Sequence, residues 1–268
     1  KDEESVEILN ILAQYLPEIT GEVLAVSQQI HDKLQQAELL STLLPYTPGF
    51  TEDVFMVLES LHGESDRCTI LNILANYVPD FFLDGLIVRT SRVGDPKRRS
   101  GLLTTLTARV PWLIGEAIDC AKQIDLDSDR GRALAGLAPY ITETEHLRNV
   151  LNSICLIKFQ GSRNFALDML AENLPSQMLD RLLSFTKLMQ DEEIYSRVLS
   201  TLALRLPEDQ LITLKSEAYS IHHHGLRADV LLSLLQRLPN LANEVLITAR
   251  QIDSVCHRTH ILISVLPY

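Results

Sequence analysis

Aromatic residues are scarce. They make up 6% of 268 positions, with a single tryptophan, while hydrophobic residues as a whole reach 46%. A core with so few rings must be filled by aliphatic side chains, a balance that suits packed helices. Cysteine is scarce too: Cys68, Cys120, Cys155 and Cys256 form no CxxC pair. Their spacing excludes a disulfide framework and a zinc knuckle, so they read as small apolar residues in a reducing compartment, the cytoplasm. Positive charge is in deficit, with 24 Lys and Arg against 35 Asp and Glu and a net charge of −11. Such a chain repels phosphate backbones at long range, which disfavours nucleic acid as a partner unless a local basic stripe overrides it. No apolar stretch approaches the length of a membrane span, so no membrane partner is expected. The polar, acidic opening Lys1-Asp2-Glu3-Glu4-Ser5 is unlike a signal peptide. GxSxG, HExxH and glycine-rich phosphate-loop motifs are also missing, so the expectation is a non-enzymatic chain with no cofactor and no metal.

What is present is a repeat. An apolar run, then Tyr, Arg or Asn, then an apolar residue and usually proline recurs along the whole chain, as in AQYLP (13–17), ANYVP (75–79), LRLP (204–207) and the terminal LPY (266–268). Indexed on the tyrosine slot, the copies fall at Tyr15, Tyr46, Tyr77, Arg109, Tyr140, Asn173, Arg205, Arg237 and Tyr268. Successive intervals are 31, 31, 32, 31, 33, 32, 32 and 31 residues, the range of helix-pair arrays.

Six residues before each slot stands leucine: Leu9, Leu40, Leu71, Leu103, Leu134, Leu167, Leu199, Leu231 and Leu262. Positions seven and three before the slot are apolar in every copy as well, and the three offsets share one face of an α-helix, here helix B. The proline that follows the slot (Pro17, Pro48, Pro79, Pro111, Pro175, Pro207, Pro239) ends helix B and opens helix A, expected over stretches such as 18–30 and 241–252. Nine residues after the slot, helix A carries Leu24, Phe55, Leu86, Ile118, Asn149, Leu182, Leu214 and Leu246. One pair cannot bury both stripes, whereas stacked pairs bury them as one continuous core. The expected architecture is therefore an all-α, right-handed α-solenoid of about eight and a half helix pairs of 31–33 residues, a single domain over 1–268. Because the array begins on a lone helix B and stops on the slot itself, without polar caps, it is expected to be excised from a longer chain.

Two copies are the most regular: WLIGEAIDCAKQIDLDSDRGRALAGLAPYIT (112–142) and LANEVLITARQIDSVCHRTHILISVLPY (241–268). Both resemble the helical-pair arrays, akin to HEAT and tetratricopeptide repeats, of large bacterial and often cyanobacterial signalling proteins. In those proteins the array sits beside a nucleotide-binding switch of the STAND/NACHT class or a caspase-like or TIR effector. The resemblance implies a sensor or scaffold that binds a protein or peptide partner in signalling or defence. The match has departures: Thr142 replaces the proline, and Tyr195 stands where arginine is expected.

Several features are candidates for binding. Ten residues before the slot lies a column of arginines, Arg67, Arg99, Arg130, Arg163, Arg227 and Arg258, with Glu64, Asp66, Asp95, Asp127, Asp129 and Asp253 nearby. One reading is a structural staple, the stem lying along apolar surface and the head bonding carbonyls or carboxylates of a neighbouring copy. The other is a ladder gripping an extended anionic ligand such as nucleic acid or an acidic peptide. Small polar residues (Asn10, Ser41, Thr42, Asn72, Thr104, Thr105, Ser200, Thr201, Ser233, Ser264) occupy the helix B face opposite the leucines. They read as close packing, or as a groove for a partner's backbone. Trp112 reads as packed on the preceding turn, and His222-His223-His224 as a solvated loop.

Overall fold

The computed structural model describes residues 20–45 and 47–268. The calls made on Ile8, Leu9, Asn10, Leu12, Tyr15 and Tyr46 lie outside them. Among the described residues the chain is helical throughout, with sixteen α-helices, short 3-10 turns and no strand. No described helix is long and apolar enough to cross a membrane. Two compact units divide it, Lys1–Cys120 and Ala121–Tyr268.

Odd-numbered helices are the helix A elements: α1 (Thr20–Ser27), α3 (Thr51–Ser60), α5 (Leu83–Ser91), α7 (Ile114–Lys122), α9 (Thr144–Cys155), α11 (Leu179–Leu188), α13 (Glu208–Tyr219) and α15 (Ala242–Ala249). Even-numbered helices are helix B: α2 (Lys33–Leu43), α4 (Glu64–Tyr77), α6 (Pro96–Thr107), α8 (Asp127–Gly136), α10 (Gln160–Asn173), α12 (Glu192–Arg205), α14 (His224–Leu235) and α16 (Val255–Val265). In the first unit α2 lies against α4 and α4 against α6. In the second, α8, α10, α12, α14 and α16 form the same kind of row, each touching the next. Helix A elements pack on the flank of that row, as α11 does on α12 and α15 on α14 and α16.

The leucine column makes the row. Leu40, Leu71, Leu103, Leu134, Leu167, Leu199 and Leu231 are buried, as are Leu43, Leu74, Leu106, Leu137, Leu170, Leu202, Leu234 and Val265 one turn later. Leu262, in the last copy, is half-buried. Each fully buried leucine removes enough apolar surface from water to stabilise the fold by about 1.5–3 kcal/mol. The helix A stripe is less regular. Phe55, Leu86, Ile118, Leu182 and Leu214 are buried, but Asn149 is only half-buried and its neighbours Val150 and Leu151 take the core positions.

Entry into several of the helix B elements is fixed by side-chain caps. Asp32 accepts from Leu34 N (2.9 Å), Asp95 from Lys97 N (2.8 Å) and Asp191 from Glu193 N (3.0 Å), each satisfying a donor that the helix itself cannot. Exit is fixed by the landmark proline, in two ways. Pro48, Pro111 and Pro239 lie inside a 3-10 turn that leads into helix A. Pro79, Pro175 and Pro207 stand just before the next element, in extended conformation. The 3-10 turn is why helix A begins later than its sequence pattern: α15 starts at Ala242, after Pro239–Leu241. Trp112 lies in such a turn and departs from expectation. Its neighbour Leu113 is buried, and the indole is turned outward, 68% exposed.

Candidate binding surface

The small polar face of helix B forms open grooves. In the second unit a cavity of about 700 Å³ runs across α10, α12 and α14. Asn164, Asp168, Ser200, Thr201, Asp229 and Ser233 are among its lining residues. In the first unit a groove of about 840 Å³ lies across α4 and α6, with Thr69, Asn72, Lys97, Arg98 and Thr105 on its walls. Asn72 and Thr105 thus share the groove of the first unit, and Ser200, Thr201 and Ser233 that of the second. Their hydroxyls are turned partly inward: Ser233 Oγ donates to Asp229 O at 3.1 Å, and Thr201 Oγ1 to Arg197 O at 3.2 Å. The second groove is braced by Arg197, whose Nη2 meets Asp168 Oδ2 at 2.5 Å, and by His257, whose Nε2 lies 2.9 Å from Asp229 Oδ1.

The column arginines are mostly occupied inside the fold. Arg130 Nη1 donates to Ile124 O at 2.7 Å, Arg227 Nε to Ile221 O at 3.0 Å and Arg258 Nη1 to Ile252 O at 3.0 Å. Each therefore closes the turn leading into its own helix B by bonding a carbonyl six residues back. Arg130 also binds Asp127. Arg99 Nε donates to Cys120 Sγ at 3.1 Å, and Arg163 lies 3.9 Å from Glu193. Arg67 differs: it is exposed, beside a small cleft shared with Arg89 and Arg92.

Two sets of joints between copies escaped sequence reasoning. First, the arginines of the tyrosine slot reach back one copy to carbonyls at the C-terminal end of the previous helix B. Arg109 bonds Ala75 O (3.3 Å) and Asp80 (2.5 Å). Arg205 bonds Ala171 O and Leu174 O, the latter at 3.0 Å. Arg237 bonds Ala203 O, at 3.3 Å, and Leu206 O. A guanidinium there satisfies orphan carbonyls and faces the negative end of the helix dipole.

Second, an acid in the first position of helix B accepts two backbone N–H groups from the turn of the following copy. Glu64 takes Gly94 N (3.3 Å) and Asp95 N (3.0 Å). Asp127 takes Lys158 N (3.0 Å) and Phe159 N (2.9 Å). Glu192 takes His222 N (2.8 Å) and His223 N (2.9 Å). The available signal was an acid thirteen residues before the slot in alternate copies. Its role was hidden because the acceptor's partners are backbone groups, which every residue carries.

These joints set the titration behaviour. The Phe159 N–H, with Arg130 adding, holds the Asp127 carboxyl below its usual range. Desolvation pushes Glu192 up, but the His222 and His223 N–H groups and the His222 ring outweigh it, leaving the carboxyl at about 2. Burial raises the Tyr195 phenol well above its ordinary value, and its bond to Glu217 at 2.5 Å raises it further. Tyr219, raised by burial and by its bond to Glu244, reaches about 12.

The histidine run departs from the solvated loop expected of it: His224 is the first residue of α14 and half-buried. The His222 ring stands in solvent, 2.8 Å from Glu192 Oε1, and His223 caps α14 through Nδ1, which accepts from Leu226 N at 3.2 Å. Among the described residues no group of three or more His, Cys, Asp or Glu is placed to hold a metal ion. Comparison with protein-family models, curated proteins and solved structures finds no match.

Proposed function

We propose that this chain is a non-enzymatic recognition module, a right-handed α-solenoid of about eight and a half helix pairs that binds a protein or peptide. Its context, on the resemblance of its most regular copies, is the sensor or scaffold of a bacterial signalling or defence protein in the cytoplasm. The observation that carries the reading is the groove across α10, α12 and α14. It spans three helices, and its short side chains, Ser196, Ser200, Thr201 and Ser233, leave room between the longer Gln160, Glu193 and Arg197 for an extended segment or a helix. The strongly shifted groups support a non-catalytic reading, because Glu192, Tyr195 and Tyr219 are engaged in bonds between copies and burial pushes the Cys155 thiol up, away from the reactive thiolate.

The alternative, an array that grips nucleic acid through the arginine column, has less to support it. Arg130, Arg227 and Arg258 already bond carbonyls of their own copies. The test is a displayed peptide library selected against the full chain, followed by titration of the selected peptides at rising salt. Binding that tolerates salt and is lost in Ser200→Arg and Ser233→Arg supports the proposal. Binding indifferent to both substitutions refutes the groove. Binding of single-stranded nucleic acid alone, falling steeply with salt, refutes the protein partner.

A further inference from the structure

A small cleft in the first unit, separate from the helix B groove, has the chemistry of an anion site. Its cavity is about 70 Å³, lined by Leu58 and Glu59 at the end of α3, Glu64, Arg67 and Leu71 on α4, and Arg89, Arg92 and Val93 at the end of α5. Leu58, Leu71 and Val93 form a buried apolar floor.

The charges around it do not balance internally. Arg89 is fixed: Nη1 donates to Gly85 O at 3.0 Å, Nε lies 2.9 Å from Glu59, and the head rests 4.3 Å from the centre of the Phe55 ring. That ion pair sets the Arg89 charge against Glu59. The carboxylate of Glu64 is taken by the N–H groups of Gly94 and Asp95. Arg67 and Arg92 are both exposed, and neither side chain has a hydrogen-bond or ion-pair partner among the described residues. Arg67 also lacks the bond to the carbonyl six residues back that Arg130, Arg227 and Arg258 make. Two guanidinium groups thus border a cleft whose two carboxylates, Glu59 and Glu64, are bonded to other groups.

The corresponding place in the second unit holds a carboxylate. There Tyr195 occupies the position of Arg67, and Glu217 that of Arg89. The Glu217 carboxylate receives Tyr195 Oη at 2.5 Å and Lys187 Nζ at 2.6 Å. In that copy the chain's own carboxylate stands beside Tyr195, at the edge of a cavity of about 390 Å³ lined by Lys187, Glu192, Tyr195 and Ser220. We propose that the Arg67–Arg92 cleft binds the corresponding group from outside, a carboxylate or phosphate presented by a ligand. Planar guanidinium forks match both oxyanions, and a cleft of this size admits one head group. The inference stands whether or not the helix B groove takes a partner.

The test uses the full chain labelled with ¹⁵N at arginine Nε and titrated, at constant ionic strength, with sodium acetate or with inorganic phosphate. Saturable shifts of the Arg67 and Arg92 resonances are expected, with half-saturation at about 10 mM or below for at least one probe. Saturation by acetate alone identifies a carboxylate ligand, and by phosphate alone a phosphate ligand. Arg67→Gln and Arg92→Gln should each weaken binding about tenfold, whereas Arg250→Gln should leave it unchanged. If Arg67→Gln fails to fold by circular dichroism, Arg92→Gln decides. Shifts that grow without saturating for both probes, or saturation unchanged in the decisive variant, overturn the proposal.

Discussion

Arg67 and Tyr195 occupy the same place in copies four apart, and they have opposite fates. Tyr195 is 5% exposed and bonded to Glu217, which also pairs with Lys187. Arg67 is exposed and lies beside a cleft whose fixed partners are the reverse in sign, Arg89 paired with Glu59. The leucines beneath them, Leu71 and Leu199, are equally buried. The difference teaches that the array separates two tasks. The apolar column is uniform and carries stability, while the polar position above it is free to be engaged in an internal bond or left exposed.

The largest expected effect tests the uniform part. Leu71→Ala and Leu199→Ala should each cost about 2–5 kcal/mol in equilibrium denaturation, and by similar amounts. A difference of more than about 2 kcal/mol between them would break the claim that the two copies are packed alike. Next come the joints. Arg205→Ala removes a donor from the carbonyls of Ala171 and Leu174. It should cost about 1–3 kcal/mol, because partly buried carbonyls lose their partner. Stability unchanged within error would mean that water replaces the guanidinium without loss.

At the polar position itself, Tyr195→Phe should cost about 0.5–1.5 kcal/mol through the lost bond to Glu217, and Arg67→Ala no more than about 0.5 kcal/mol. The reverse order would show that Arg67 has structural work after all. The smallest effect concerns acid. Glu192 has a folded pKa depressed from 4.5 to about 2. Its contribution is therefore complete above pH 4.5 and is lost as pH falls towards 2. Glu192→Gln should flatten the acid side of the stability profile in that window and leave its slope near neutrality unchanged. An identical slope in both proteins between pH 4.5 and 2 would remove Glu192 from the joint.

Helix B was legible because its signal is redundant. Three apolar offsets repeat in every copy, and they are buried in nearly all the described ones, from Leu40 to Leu234. Helix A was less so. The proline that marks its start also tightens the first residues into a 3-10 turn, and copies such as the one around Asn149 rotate the buried stripe by one residue. The groove-lining residues on helix B were legible only in part: Asn72, Thr105, Ser200, Thr201 and Ser233 line the grooves, but Ser41 is fully buried and Thr42, Thr104 and Ser264 line neither. The joints were not legible, since Arg205 and Glu192 bond backbone groups that leave no mark on the partner's sequence. The column arginines were visible as a column, but whether a head folds back on a carbonyl, as in Arg227, or stays outside, as in Arg67, depends on the shape of the preceding turn. That is a three-dimensional property, without a one-residue signature.

Arg205 and Arg237 meet the same two carbonyls of the previous helix, one period apart. At these two junctions donor and acceptor recur together, so each of the two preceding copies ends with the socket that the next copy's plug requires. Removing a whole copy from the second unit would bring Arg237 to the carbonyls that Arg205 leaves, and inserting one would create a matching pair. Half a copy would strand a guanidinium at one end and two bare carbonyls at the other. The length of the array is thereby quantised: duplication and loss in whole copies are tolerated by the joints, and intermediate changes are not.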